Sequence, residues 1–345
     1  MGKLTAALLL ACAVPAFAAG PGGDALPFLK LDAGARPAAL GGAYSALGDD
    51  AFTVFYNPAG AAFVDRKEAA FTHHMWLEGM SQESLAYVHP ASRRLSFYGG
   101  ANLLLSGAMD RLDNAGLVTG DQFSARDGEY FFGATVLLAR NVFAGGAFKA
   151  YSQTADNESA FAYGGDLGLL ATTGDLRFGA SASNMGARLK FGDRSFPLPL
   201  VYRAGAAKAL FQQYWLTGHW GRAGAADGYP ALGAEGEFEI DETQALFVRL
   251  GWNGGRSRNA GSGFTCGAGL RNYDLRLDYA FSPFGDLGAS HRFSFTYSFG
   301  QAREKMPVKR GYPRTYDRQK RTDPVSKRKK QAEEDAENRK TRFTW

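Results

Sequence analysis

From Lys67 onward, polar and apolar residues alternate with a period of two, as in a strand whose successive side chains point to opposite faces. In 292–299 (RFSFTYSF), Phe293, Phe295, Tyr297 and Phe299 share one face and Ser294, Thr296 and Ser298 the other. In 275–281 (LRLDYAF), Leu275, Leu277, Tyr279 and Phe281 oppose Arg276 and Asp278. The pattern predicts strands near 68–76, 81–89, 94–107, 128–140, 142–155, 158–173, 175–186, 198–210, 213–223, 231–242, 244–254, 263–272, 273–282 and 289–299. Turn signals such as Ala139-Arg140-Asn141, Asp156-Asn157 and Gly174-Asp175 separate them. Short turns alternate with longer links at 108–127, 187–197, 224–230 and 255–262, the asymmetry of a membrane barrel. A soluble sandwich also alternates, but here a polar face suits a wet interior and an aromatic face suits lipid. The expectation is an all-β, transmembrane antiparallel barrel of about fourteen strands.

The chain before Lys67 breaks this pattern. Residues 1–18 read as a signal peptide: Lys3, an apolar run from Leu4 to Val14, and Ala16-Phe17-Ala18 as the cleavage site. Leu9-Leu10-Ala11-Cys12 also resembles a lipoprotein box, and either reading exports the chain. No later stretch has the 18 consecutive apolar residues of a membrane helix. Residues 19–66 follow as a separate segment. Its stretch 33–60, AGARPAALGGAYSALGDDAFTVFYNPAG, is rich in small residues and lacks strand alternation. We read it as a plug, or hatch, inside a barrel at 67–300. Arg36, Gly41, Gly42, Asp49, Asp50, Asn57, Pro58 and Gly60 are its candidate site residues, structural or gating. A chain threaded through a lumen must satisfy its backbone groups without a sheet of its own. Gly41 and Gly42 permit unusual dihedrals and close approach to the wall. Pro58 fixes φ and Asn57 caps a turn. Asp49 and Asp50 are acceptors for backbone amides or lumen arginines, with Arg36 as one partner.

Composition adds two points. Gly at 44 residues and aromatics at 13% suit many tight turns and the aromatic girdles of a barrel. Interior glycines such as Gly99, Gly145 and Gly267 serve either close approach of a plug or relief of sheet twist. The net charge of +5 is unevenly placed: 301–345 holds 15 Lys/Arg against 7 Asp/Glu, so the body is slightly acidic. The basic tail at 301–345 has few large apolar residues and is expected to be disordered and periplasmic. Export argues against nucleic acid as its partner.

Catalytic and metal chemistry find little support. Asp49-Asp50 has no nearby third ligand. His73-His74 on a strand point to opposite faces and cannot chelate together. Cys12 lies in the leader, leaving Cys266 as one mature thiol without a disulfide partner. There is no P-loop, no HExxH and no Ser/His/Asp arrangement with supporting context. No cofactor, no metal and no enzymatic activity are expected.

The blocks Phe28-Leu29-Lys30, Ala33-Gly34-Ala35-Arg36-Pro37, Gly41-Gly42-Ala43-Tyr44, Asp49-Asp50 and Asn57-Pro58-Ala59-Gly60 resemble the start of the PorV/PorQ family, within the FadL-like outer-membrane barrels. Phe71-Thr72-His73-His74-Met75-Trp76 and His291-Arg292-Phe293 are similar as well, so the resemblance spans about 25–300. It implies a fourteen-stranded barrel with an N-terminal hatch, in contact with outer-membrane lipid. It also implies an accessory role in type IX-like protein secretion and surface attachment, with secreted cargo or secretion-system proteins as partners. The alternative is a FadL-type channel for fatty acids or other hydrophobic small molecules, with a ligand in the lumen.

Overall fold

The computed structural model describes residues 23–303 apart from 212 and 225. The leader, Cys12 and the tail from 304 lie outside the described residues. Eighteen strands form among the described residues. The first nine are β1 (Lys67–Met75), β2 (Ser81–Pro90), β3 (Leu95–Leu105), β4 (Met109–Leu112), β5 (Val118–Phe123), β6 (Ala125–Ala139), β7 (Val142–Ala155), β8 (Glu158–Thr173) and β9 (Leu176–Gly186). They are followed by β10 (Leu189–Phe191), β11 (Arg194–Phe196), β12 (Val201–Leu210), β13 (Tyr214–Ala223), β14 (Tyr229–Glu239), β15 (Gln244–Asn253), β16 (Phe264–Asn272), β17 (Leu275–Pro283) and β18 (Ala289–Phe299).

Fourteen of these close into one barrel, in the order β1-β18-β17-β16-β15-β14-β13-β12-β9-β8-β7-β6-β3-β2, each pair antiparallel. The seam between β1 and β18 is in register from Lys67↔Phe299 to Met75↔His291. The four remaining strands are two hairpins, β4-β5 and β10-β11, within the links expected at 108–127 and 187–197. The link after β15 carries a short helix, Gly254–Asn259, capped by Asn253 Oδ1 accepting from the amides of Gly255 and Arg256. Sequence alternation alone does not show that these links fold, because their strands are too short to display a period.

The alternation maps onto the wall as read. On β18, Ser294 and Thr296 are 3% and 2% exposed and face inward, whereas Phe295 is 46% exposed and faces out. Phe71, Phe97, Phe132, Leu216, Leu250 and Leu277 continue this apolar outer surface around the barrel. Such a contiguous apolar belt is stable in lipid and not in water. No helix among the described residues is long and apolar enough to cross a membrane.

The interior differs from a wet pore. Residues 25–64 are almost entirely buried and pack against inward side chains all round the wall. This segment starts at the long-link end, where the Ala25 amide donates to Pro197 O at 2.8 Å. It reaches Lys67 at the opposite end, beside the short turns. It contains one α-helical turn, Ala35–Ala39, and three 3-10 turns, Pro27–Lys30, Ala51–Phe55 and Pro58–Phe63. Strand-like backbone would leave its polar groups unpaired. The short turns satisfy some of them locally and present the rest to the wall.

Candidate functional site

The contact between residues 33–64 and the wall is the most heavily built polar site among the described residues. Wall side chains satisfy the segment's backbone from strand to strand. Thr135 Oγ1 donates to Pro58 O at 2.6 Å, Ser181 Oγ to Tyr56 O at 2.7 Å and Thr217 Oγ1 to Ala43 O at 2.8 Å. Asn253 Nδ2 donates to Gly41 O and Thr265 Oγ1 to Ala39 O, both at 3.0 Å. In the other direction the Ala35 amide donates to Ser294 Oγ at 2.7 Å and the Ala51 amide to Glu68 Oε1 at 2.6 Å. Polar residues read as a water-facing surface are therefore partners of a second layer of protein. Each removes an orphan backbone group whose burial would otherwise cost about 1–3 kcal/mol.

An ionic network crosses the same contact. Arg36 grips Glu235 with two parallel bonds, Nε to Oε2 at 2.7 Å and Nη2 to Oε1 at 2.6 Å. Its Nη1 reaches Asp49 Oδ1 at 2.7 Å and Asp50 Oδ2 at 3.1 Å. From the wall, Arg249 bonds Glu235 and Asp278, and Arg276 bonds Asp278 and Asp50. Arg177 reaches Asp49 at 3.2 Å and lies over the rings of Phe63 and Trp215. Four guanidinium groups thus interleave with Asp49, Asp50, Glu235 and Asp278, nearly all withdrawn from water. Bidentate arginine–carboxylate pairs are among the strongest and most directional polar contacts. Desolvation cancels much of their net stability, so their main effect is to fix one arrangement.

The sequence-derived residues fall as follows. Asp50 is an N-cap: its Oδ1 accepts from the Phe52 amide at 3.1 Å, and Tyr44 Oη donates to its Oδ2 at 2.8 Å. Asn57 caps the next turn, its Oδ1 accepting from the Ala59 amide, while its Nδ2 donates to Ser45 O and to Leu169 O on β8. Pro58 begins that turn and the Gly60 amide closes it on Asn57 O at 2.9 Å. Gly41 has φ +68°, and a Cβ there would sit 2.7 Å from the backbone of Trp252. Gly42, at φ +79°, leaves room for the Asp32 carboxylate. The wall makes reciprocal room: a Cβ on Gly145 would strike Pro58, and one on Gly179 would strike Ser45 O. At these positions glycine serves close approach of the segment. At Gly99 the atoms in the way belong to the neighbouring strand.

Sequence reasoning missed Glu235, Arg249 and Arg177. Their signal was a charged residue on the inward phase between outward apolar ones, as in Val248-Arg249-Leu250. It also missed a second buried cluster on the wall. There Lys149 Nζ lies 2.7 Å from Asp166 and 2.5 Å from Glu129, and a bulge at Asn184 (φ +63°) brings Asn184 Oδ1 within 3.2 Å of both Lys149 and Tyr151. A cavity of about 20 Å³, room for a single water, adjoins this cluster and is lined by Glu129, Lys149, Ser183, Asn184, Arg203 and Tyr56, among others. His73 and His74 do point apart: His73 bonds Glu83 outside and His74 bonds Gln82 inside. Cys266 faces outward on β16.

Three solved barrels share this architecture. The toluene transporter TbuX of Ralstonia pickettii superposes with a TM-score of 0.55 at 13% identity, over 79% of this chain and 100% of that one. The Pseudomonas putida toluene transporter TodX gives 0.53 at 11% identity, over 76% and 96%. The monoaromatic hydrocarbon channel CymD gives 0.56 at 11% identity, over 78% and 98%. The chain has their fold. The family model described as uncharacterised protein family UPF0164 matches residues 20–191, which include the whole N-terminal contact segment and the strands through β10. No curated protein matches the chain by sequence. The likeness bears on the fold alone and does not reach the PorV/PorQ family.

Proposed function

We propose that the protein is a non-enzymatic outer-membrane channel for small hydrophobic molecules, with residues 33–64 as its gate. The observation that carries this reading is the shared fold with barrels described as toluene transporters and a monoaromatic hydrocarbon channel, over nearly their whole length. The lumen adds physical support. At its long-link end, Leu26, Phe28 and Leu29 occupy an apolar site lined by Tyr151, Ala160, Ala162, Leu189 and Leu198. An uncharged aromatic ring has the shape and polarity of the Phe28 side chain that fills this site. Below it the buried ion network closes the passage, so permeation requires residues 33–64 to shift. The channel reading takes precedence over the secretion accessory first expected from the sequence, which the relatives do not support.

The test is uptake of labelled toluene into vesicles containing the purified protein, beside protein-free vesicles with a preset leak. Faster equilibration with protein, accelerated further when the gate network is weakened, is the expected result. Equal rates with and without protein, for both wild type and the weakened variant, would reject the reading. Loss of surface-exported proteins on deletion, with hydrocarbon uptake unchanged, would return the secretion role.

A further inference from the structure

Buried donors without partners gather at the long-link end of the lumen. Arg203 Nη1, Arg256 Nε, Arg292 Nε, His74 Nε2 and both ring nitrogens of His219 are buried without a hydrogen-bond partner among the described residues. Among the described residues none of the three arginines makes a direct ion pair, in contrast with Arg36, Arg249 and Arg276 deeper in the lumen.

Contacts bring these groups around one locus. Arg203 lies over the Tyr56 ring, 5.3 Å from its centre, and the Tyr56 hydroxyl donates to Asp32 Oδ1 at 3.0 Å. Asp32 is the carboxylate whose charge bears on both Arg292 and Arg256. His74 is the cross-strand partner of Arg292. An aromatic chain links that pair to Arg256: the His74 ring is 5.1 Å from Trp76, Trp76 is 4.8 Å from Phe284, and Arg256 lies over Phe284 at 5.0 Å. On the other side Arg203 bears on His219. Arg292, His74 and His219 are each more than nine-tenths buried. Arg256 and Arg292 have Asp32 as their nearby carboxylate and Arg203 borders the cavity that Glu129 and Lys149 also line, yet all three keep buried donors without an acceptor, whose burial is costly unless an anion joins them.

We infer that Arg203, Arg256, Arg292 and His219 form an oxyanion site, for the phosphate or carboxylate group of a ligand, beside which the Asp32 carboxylate lies without pairing directly to any of them. Planar guanidinium forks match the paired oxygens of such anions, and imidazole adds a neutral donor. Asp32 belongs to the N-terminal segment, so an arriving oxyanion repels its carboxylate and weakens the hold of that segment. Binding stands independently of the channel reading; the effect on gating rests on it.

The test is calorimetric titration of the detergent-solubilised protein with inorganic phosphate and, separately, acetate, at ionic strength matched with chloride. Wild type is expected to bind at least one of the two. Asp32→Asn keeps the acceptor for Tyr56 and removes the competing charge, so it should bind about tenfold tighter, the order of one partly screened charge interaction. Arg292→Gln should bind more weakly. Stronger binding of phosphate than of acetate marks a phosphate ligand, and the reverse a carboxylate. No binding by wild type or by Asp32→Asn, or an equal response to chloride, overturns the site. Asp32→Asn keeps the test decisive if Arg292→Gln does not fold. Toluene uptake that fails while oxyanion binding persists sinks the channel reading alone.

Discussion

Arg36→Met removes the cation that joins the N-terminal segment to the wall. Arg36 bonds Glu235 twice and Asp49 and Asp50 once each, at 2.6–3.1 Å. Without it, Arg249 and Arg276 remain to balance Glu235, Asp278 and Asp50. Removing one partner of a buried pair costs about 3–5 kcal/mol. Glu235 keeps Arg249 and Asp50 keeps Arg276 and Tyr44, which places the cost near the lower end, about 3 kcal/mol. Methionine retains much of the side-chain volume, so the loss is one of charge pairing more than packing. At 1.4 kcal/mol per factor of ten, the undocked population of residues 33–64 should rise by roughly two orders of magnitude. Amide hydrogen exchange, read by mass spectrometry on protein in lipid discs, reports that population directly. The barrel strands supply the internal reference, because their ladders do not depend on Arg36. Arg36→Lys keeps the charge but loses the bidentate grip on Glu235, and should fall between wild type and Arg36→Met. Unchanged exchange at 33–64 in a folded Arg36→Met barrel would refute the claim that this network holds the segment.

Four further outcomes follow from the same contacts. Asp49→Asn with Asp50→Asn should raise small-solute conductance in planar bilayers, since it strips charge from two acceptors of Arg36, Arg177 and Arg276; wild-type conductance with normal folding would remove both from any gating role. Gly41→Ala should speed exchange of the segment, because it combines a left-handed cost of about 1–2 kcal/mol with a clash against Trp252, whereas Gly116→Ala, at φ +79° with nothing within 4 Å, meets only the first cost and should leave the segment protected. Phe295→Arg on the outer face should destabilise insertion into vesicles by about 2–4 kcal/mol in a folding titration, and an effect near zero would contradict a lipid-facing wall. Cys266, outward on β16, should react in vesicles with a lipid-soluble maleimide and not with a charged, impermeant one; equal labelling by both would place it in water.

Strand order was legible because each strand carries its own alternation, and local periodicity survives without knowledge of neighbours. The expected strands fall within a few residues of those observed, and consecutive antiparallel pairing follows from the short turns. The buried part of the segment was legible as an interruption of that pattern, and Asp50 and Asn57 as caps. The partners were not, since Thr217 and Ala43, or Arg36 and Glu235, are separated by well over a hundred residues with no local signal joining them.

The sequence by itself determined the wall: a period of two, an aromatic face and a polar face, and enough strands for a closed sheet. It also marked 33–60 as chain that cannot be a strand. Only the tertiary structure decided what the polar face meets. Alternation states which side chains point inward but not whether water or protein fills the interior, because both satisfy serine, threonine and arginine equally well. Closure of the barrel around residues 25–64 settles it, turning inward hydroxyls and charges into partners of buried backbone and carboxylates. The same closure gathers Arg203, Arg256 and Arg292 from distant strands and a loop into a basic locus that no stretch of sequence displays.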